Sequence, residues 1–281
     1  MTPGFDRFIA IDWSGGRGRR HKGIAVAACG QGQKAPVLVP PPDGVWSREA
    51  VAAWLMTLPG SSLAGFDFSF SMPFVDEGAY LPGIAPEVPA LWDAVEAASA
   101  GAPDYYGGGF VARYQDHFLS AGARGALFSA RLRLTELACR AQGLGRSESN
   151  FHLIGPSQVG LASFAGMRML RALGGRPNVA IWPFEPPGRL TLVELYTRLF
   201  LIQAGAGVRK IRDGDSLRDA LAALGSETYG FDGALSDHET DVLVAAAGMR
   251  RLAVAGGAAL WHPPALSDTV RRTEGWTWGV L

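Results

Sequence analysis

The segment Phe8-Ile9-Ala10-Ile11-Asp12-Trp13-Ser14-Gly15-Gly16 runs four apolar residues together and stops them on an aspartate. A short apolar run bounded by glycines predicts a buried strand. A carboxylate at the exit of such a strand is costly to bury unless donors, cations or a metal ion meet it. The functional question is therefore which other carboxylates converge on Asp12, and what they hold.

Working outward, the turn from Ser14 to Lys22 carries Arg17, Arg19, Arg20, His21 and Lys22 among glycines. Residues 23–29 read as a second strand, which makes the pair a hairpin with a long basic loop. Val37-Leu38-Val39 is a short third strand, ended by three prolines that have no N–H to donate. Ser47 fits the N-cap of a helix reaching Leu58, with Val51, Trp54, Leu55 and Leu58 on one face and Pro59-Gly60 as its stop. Ser62-Leu63-Ala64-Gly65-Phe66-Asp67 reads as a fourth strand, and it too ends on an aspartate.

Residues 76 to about 150 break this rhythm with helical segments near 113–119 and 127–142. The span 76–175 is expected to be a largely helical insertion within a single domain of residues 1–281. Gly107-Gly108-Gly109 lacks the Gly-Lys-Ser/Thr ending of a P-loop and reads as a hinge or loop. A helix is predicted from Ser157 to Leu173, and short strands at 179–184 and 192–196, the second with Glu194 inside an apolar run. Residues 215–224 read as a helix. Ser236 and Glu239 form a capping-box pattern that opens a further helix, stopped by Gly256-Gly257. On that helix His238 and Asp241 are three apart, and Asp237 and Asp241 four apart, so each pair shares a face. Ala245, Ala246 and Gly248 follow as a small-residue face suited to close packing on a sheet.

Hydrophobic content of 48% and charged content of 19% fit a globular chain, and the net charge of zero argues against binding nucleic acid by bulk charge. The charge is segregated, however. Asp76, Glu77, Glu87, Asp93, Glu96 and Asp104 lie in a stretch without Lys or Arg, whereas arginines 113, 124, 131, 133, 140 and 146 follow against two acids. Either two solvated helical faces or a phosphate-binding face would account for this. Cys29 and Cys139 read as unpaired buried thiols, which suits a reducing, cytoplasmic setting. Neither an export leader nor an apolar run long enough for a membrane span is visible, so no membrane association is expected.

Asp12, Asp67, Glu194, Asp237 and Asp241 are candidate members of one acidic cluster. Oxygen ligands at this density suit Mg²⁺ or Mn²⁺ rather than zinc. Such ions activate water and stabilise the leaving oxygen of a phosphodiester. Each residue also has a plain structural reading: Asp12 and Asp67 as turn acceptors, Glu194 paired with Arg198, and Asp237 as a helix-start residue. His238 would orient a ligand or water, or simply sit in the capping turn.

Ile9-Ala10-Ile11-Asp12-Trp13-Ser14-Gly15, Gly65-Phe66-Asp67-Phe68-Ser69 and Ser236-Asp237-His238-Glu239-Thr240-Asp241, in that order, resemble the DUF429 family. The resemblance implies an RNase H-like α/β fold related to RuvC-type resolvases, with a mixed five-stranded sheet flanked by helices. It makes Asp12 the first-strand ligand, Asp67 the fourth-strand ligand and Asp241 the helix ligand, with His238 or Asp237 beside it. Resolvase-type nucleases usually carry glutamate at the fourth-strand position, so the shorter Asp67 leaves one metal or two open. The expected activity is metal-dependent hydrolysis of DNA or RNA, catalysed through Asp12, Asp67, Asp241 and His238. Arg17, Arg19, Arg20, Lys22, Arg113 and Arg131 would hold phosphates. The related resolvases work as dimers, which makes a homodimer an expectation too. Two other classes stay open: a non-catalytic binding or scaffold protein on the same fold, and an actin-like ATP-dependent phosphotransferase, which normally needs two copies of the core.

Overall fold

The computed structural model describes residues 3–155, 158–207, 210–231 and 235–281. The chain begins with β1 (Arg7–Asp12), β2 (Ala25–Gly30) and β3 (Val37–Leu38), followed by α1 (Arg48–Met56) and β4 (Ser62–Phe66). Next come α2 (Val88–Ala98), α3 (Gly108–Arg113), a small hairpin of β5 (Leu119–Ser120) and β6 (Ala123–Arg124), α4 (Leu134–Ala141) and α5 (Gly160–Leu173). β7 (Val179–Ile181), β8 (Leu190–Glu194), α6 (Thr197–Gln203), α7 (Gly214–Ala223), α8 (Asp237–Ala255) and α9 (Asp268–Thr273) complete it.

The main sheet has six strands in the order β3-β2-β1-β4-β8-β7. The first three are antiparallel, and β4, β8 and β7 run parallel to β1. The resemblance implies a five-stranded sheet; the strand read at 179–184 forms β7 (Val179–Ile181) and makes a sixth, outside β8. Both faces of the sheet are covered, which is why residues 8–11 of β1 and 63–66 of β4 form unbroken runs without polar side chains. Phe8, Ala10, Ala27 and Val193 join α6, α7 and α8 in one apolar cluster. Ile9, Ile11, Val26, Ala64, Phe66 and Leu192 join α1, α2 and α5 in the other.

Several local signals hold. Ser47 Oγ accepts the Ala50 N–H and opens α1, and Ser236 with Glu239 forms the reciprocal box that opens α8. Helices make up less than half of the span 76–175, which is expected to be largely helical, and α2 and α5 belong to the core. The helix expected near 113–119 is displaced: α3 ends at Arg113 and only a single 3-10 turn follows at Gln115–His117, while the one expected at 127–142 is shortened to Leu134–Ala141. α5 starts at Gly160, and Ser157 lies outside the described residues. Gly107 to Gly109 form the start of α3 and not a hinge. A Cβ on Gly107 would lie 2.5 Å from Phe164 Cβ, and one on Gly109 would lie 2.2 Å from the Ala98 carbonyl oxygen. The glycines are there for close helix approach. Gly248 likewise packs on the Phe200 ring of α6, not on the sheet.

Five of the six acids in the acidic stretch form ion pairs with cations elsewhere in the chain, and of the six arginines that follow it only Arg131 is among the partners. Arg131 binds Asp76 and Glu77, Arg168 binds Glu96, Arg171 binds Asp93, and Arg48 with His21 binds Asp104. Chain segments distant in sequence are thereby tied together.

A buried polar network surrounds Arg133, which is fully enclosed. Its Nη1 and Nη2 donate to the two Glu194 oxygens at 2.8 and 2.6 Å, and its Nε donates to Glu136 at 2.9 Å. Glu194 also accepts from the Phe70 N–H and the Thr277 hydroxyl. The end of β8, the start of α4 and the C-terminal segment therefore share one satisfied cluster. Removing the guanidinium would leave two buried carboxylates uncompensated. Arg133→Ala is expected to lower stability by about 3–5 kcal/mol, read as a drop in the denaturant midpoint.

Candidate functional site

β1 and β4 lie in parallel register with Ile11 opposite Phe66, so Asp12 and Asp67 leave the sheet side by side. The Asp67 N–H donates to the Ile11 carbonyl at 3.3 Å, and the Trp13 N–H donates to Asp67 Oδ1 at 2.8 Å. α8 packs across β1 and β2, and its capped N-terminus brings His238 and Asp241 to the same edge. His238 Nδ1 lies 2.9 Å from Asp12 Oδ2. Asp241 Oδ2 accepts from Lys210 Nζ at 3.0 Å, while its buried Oδ1 has no hydrogen-bond partner among the described residues. Asp237 stands at the periphery, 3.8 Å from Lys210 and 3.5 Å from Arg212.

This crowding of negative charge perturbs the groups involved. Burial, and then the neighbouring Asp12 and Asp241 charges, push the Asp67 carboxyl well above the usual carboxylate range, despite the Trp13 N–H. Asp241 is raised by burial, with Asp12 and Asp237 adding to it and Lys210 opposing. The His238 imidazole is raised chiefly by its hydrogen bond to Asp12. Lys210 loses something to partial burial but is raised on balance by Asp241 and Asp237. Three carboxylates, the Lys210 ammonium and the half-exposed His238 ring thus form one electrostatic unit.

The glycine-rich turn after Asp12 is held from behind by Arg48, a buried side chain. Its Nη1 donates to the Ser14 and Gly16 carbonyls at 2.6 and 3.1 Å, and Nη2 to Gly16 and Gly18 at 3.1 and 3.4 Å. Its Nε donates to the Asp104 carbonyl at 2.5 Å. The Asp104 side chain in turn accepts from the Arg48 and Glu49 N–H groups and meets His21 Nε2 at 2.8 Å. Burial lowers the Arg48 guanidinium to about 10, with Asp104 opposing the shift. Gly15 lies against α5 so closely that a Cβ would stand 2.3 Å from the Ala162 nitrogen.

The structure brings together Asp12, Asp67, Asp241 and His238, with Asp237 at the periphery. It does not bring Glu194 into this group. Glu194 ends β8 opposite Phe66, close in the sheet, but both its oxygens are committed to Arg133, the Phe70 N–H and Thr277. Arg133, sixty-one residues away, is its partner, not Arg198. Among the basic candidates, Arg131 is buried, with its donors filled by Asp76, Glu77 and the carbonyls of Pro73, Ala79 and Tyr80, so it cannot reach a phosphate. Arg17 and Lys22 are exposed and make no ion pair among the described residues, Arg19 pairs with Glu49, and Arg20 donates to the Asp43 carbonyl. Arg113 is exposed and stands over the Tyr114 ring at 5.6 Å. The sequence reading overlooked Lys210, Arg48 and Asp104. Lys210 and Arg212 flank a buried isoleucine just before α7, and that basic pair was the one local signal.

Among the described residues no three His, Cys, Asp or Glu side chains converge at metal-ligand spacing, and the carboxylates face Lys210 and His238 instead. The donor set is nonetheless all hard oxygen, and Asp241 Oδ1 is a buried acceptor with nothing bound to it. No described helix is long and apolar enough to cross a membrane. The chain matches no family model, no curated protein and no solved structure.

A carboxyl group raised in the folded state favours the protonated form there. Its contribution to stability is present below the unfolded value, near 3.9, and is lost as pH rises through the folded value. Asp67→Asn keeps an oxygen acceptor for the Trp13 N–H and removes the charge. In chelator-containing buffer its Tm should exceed that of wild type at neutral pH, and the gain should vanish as the pH falls to about 4. A variant less stable than wild type at pH 7 would contradict this account of the site.

Proposed function

We propose that this protein is a metal-dependent phosphodiesterase of RNase H-like architecture, hydrolysing DNA or RNA at Asp12, Asp67 and Asp241. One observation carries the reading: these three carboxylates, from β1, the exit of β4 and α8, form a single electrostatic unit in which a buried Asp241 oxygen is left without a partner. Like charges so placed raise one another's proton affinity and call for a cation. The antiparallel β1–β2–β3 arrangement, with β4 and β8 added in parallel beside β1, supports the RNase H-like reading.

A divalent ion such as Mg²⁺ or Mn²⁺, held by Asp12, Asp67 and Asp241, would supply Lewis-acid charge at the scissile phosphate. The protein's own contribution is rigidity and proton handling. Asp12 is fixed by the sheet and Asp67 by the Trp13 N–H. His238 is half-exposed, and its hydrogen bond to Asp12 raises its proton affinity, so it would be the candidate to give a proton to the leaving oxygen. Lys210 occupies the charge-compensating position beside Asp241 and would be displaced as the ion enters.

A second reading, a non-catalytic binding protein on this fold, is favoured by the Lys210–Asp241 pair, which neutralises part of the cluster without any metal. Thermal unfolding with and without Mn²⁺ or Mg²⁺ separates the two. Wild type should gain stability by mass action, Asp12→Asn should lose the gain, and Lys210→Met should bind the ion more tightly. Absence of a shift in both wild type and Lys210→Met would favour the binding protein.

A further inference from the structure

An open cavity of about 430 Å³ lies where the two-residue β3 leaves the start of β2 without a neighbour. Ile24, Ala25 and Val26 line it in succession, although their side chains alternate between the two faces of the sheet. Trp46, from the apolar layer of α1, α2 and α5, lines it too, as do Ser236 and Glu239 at the start of α8 in the opposite layer. A cavity bounded by both layers and by three consecutive strand residues lies at the edge of the strand. What meets it there is the backbone, since the Val26 side chain is packed in the core.

The ladder fixes where those backbone groups point. The Asp67 N–H reaches the Ile11 carbonyl, so Ile11 turns its polar groups to β4, and Val26 opposite it turns its own away from β1. The Val39 N–H accordingly donates to the Val26 carbonyl at 2.8 Å, but the Val26 N–H has no acceptor among the described residues. Ala25 faces Asp12, so across a trans peptide the Ile24 carbonyl also points to the open edge. The register sets Pro41 opposite Ile24, and proline has no N–H to give; no other donor among the described residues reaches that carbonyl. Buried backbone groups are nearly always paired, so this acceptor and donor, two residues apart on one edge, mark a place for a ligand. The neighbouring groups are already taken, the Ile24 N–H by the His21 carbonyl and the Val26 carbonyl by Val39. A docking strand would need a longer run of free groups than this single pair.

One donor beside one acceptor is what the pairing edge of a nucleobase carries, and a volume of this size is in the small-molecule range of about 300–1,000 Å³. Lys22 also lines the cavity, exposed and without an ion pair among the described residues. The carboxylate there, Glu239, is occupied by the N–H and hydroxyl of Ser236. We propose that this cavity takes the base of a nucleotide, its pairing edge against the Ile24 carbonyl and the Val26 N–H, with Lys22 as counter-charge to the phosphate. Ala25 stands opposite Asp12, which puts the base one strand away from the carboxylates. That the nucleotide belongs to a strand cut at Asp12 rests on the phosphodiesterase reading; the base site itself needs no metal.

The test follows the backbone amide of Val26 in the ¹⁵N-labelled, deuterated full chain, in EDTA, assigned by sequential connectivities. Adenosine 5′-monophosphate, uridine 5′-monophosphate, adenosine and ribose 5-phosphate are titrated in turn. Saturable downfield movement of the Val26 amide proton with either nucleotide, and none with ribose 5-phosphate, supports the site. A resonance that is stationary with both nucleotides, or that moves equally with ribose 5-phosphate, overturns it. Where adenosine 5′-monophosphate binds, adenosine should bind about fivefold more weakly, the worth of one exposed charge pair, and Lys22→Gln should abolish that difference. A difference that survives in Lys22→Gln would overturn the placement of the phosphate. Asp12→Asn should retain nucleotide binding while losing the Mn²⁺-dependent gain in stability. A failure of the metal reading would therefore leave this result standing, and the reverse also holds.

Discussion

Three parallel strands end on carboxylates along one edge of the sheet: Asp12 after β1, Asp67 after β4 and Glu194 at the close of β8. Neighbouring strands lie about 4.8 Å apart, where two unit charges repel by about 3 kcal/mol at an effective dielectric constant of about 20. The rest of the structure answers that repulsion, and it does so unevenly. Glu194 receives both terminal nitrogens of the Arg133 guanidinium and two further donors. Asp12 receives the half-exposed imidazole of His238. Asp67 receives a single backbone N–H, so the charge is least compensated in the middle. A cluster left under such strain is a common mark of a functional site, because stability alone would favour neutral residues there.

The helices between β4 and β7 serve this edge in ways that an appended lid would not. Their apolar residues complete one face of the core, and Phe68 fits against the helix surface where Gly166 leaves room. Their polar residues fix the turn after β1: Asp104 gathers the start of α1 and His21, and Arg48 passes that constraint to the carbonyls of the turn. The turn keeps a defined shape although it is rich in glycine, since its conformational freedom is removed by hydrogen bonds from a buried side chain.

On the proposed reading, the two faces of the turn divide the work. Carbonyls point inward to Arg48, and the exposed side chains Arg17 and Lys22 remain for a polyanion, next to the carboxylates that would hold a metal ion. A neutral protein needs no bulk charge for this, because cations placed beside the site act at short range.

The sequence by itself determined the elements and the positions of the principal acids. Unbroken apolar runs ending on Asp12 and Asp67 specified two buried strands and where each leaves the sheet, and the Ser236–Glu239 box specified where α8 starts and hence that His238 and Asp241 share a face. These are local facts, set by periodicity and by backbone groups a few residues apart. Tertiary structure alone decided which charges are free. Glu194 and Arg131 look like site residues in the chain, and each is committed to partners more than fifty residues distant. Lys210 and Arg48 belong to no quoted motif, yet they stand at the candidate site. An ion pair depends on distance in space, and no one-dimensional pattern encodes which of several arginines the fold will bring beside a given carboxylate.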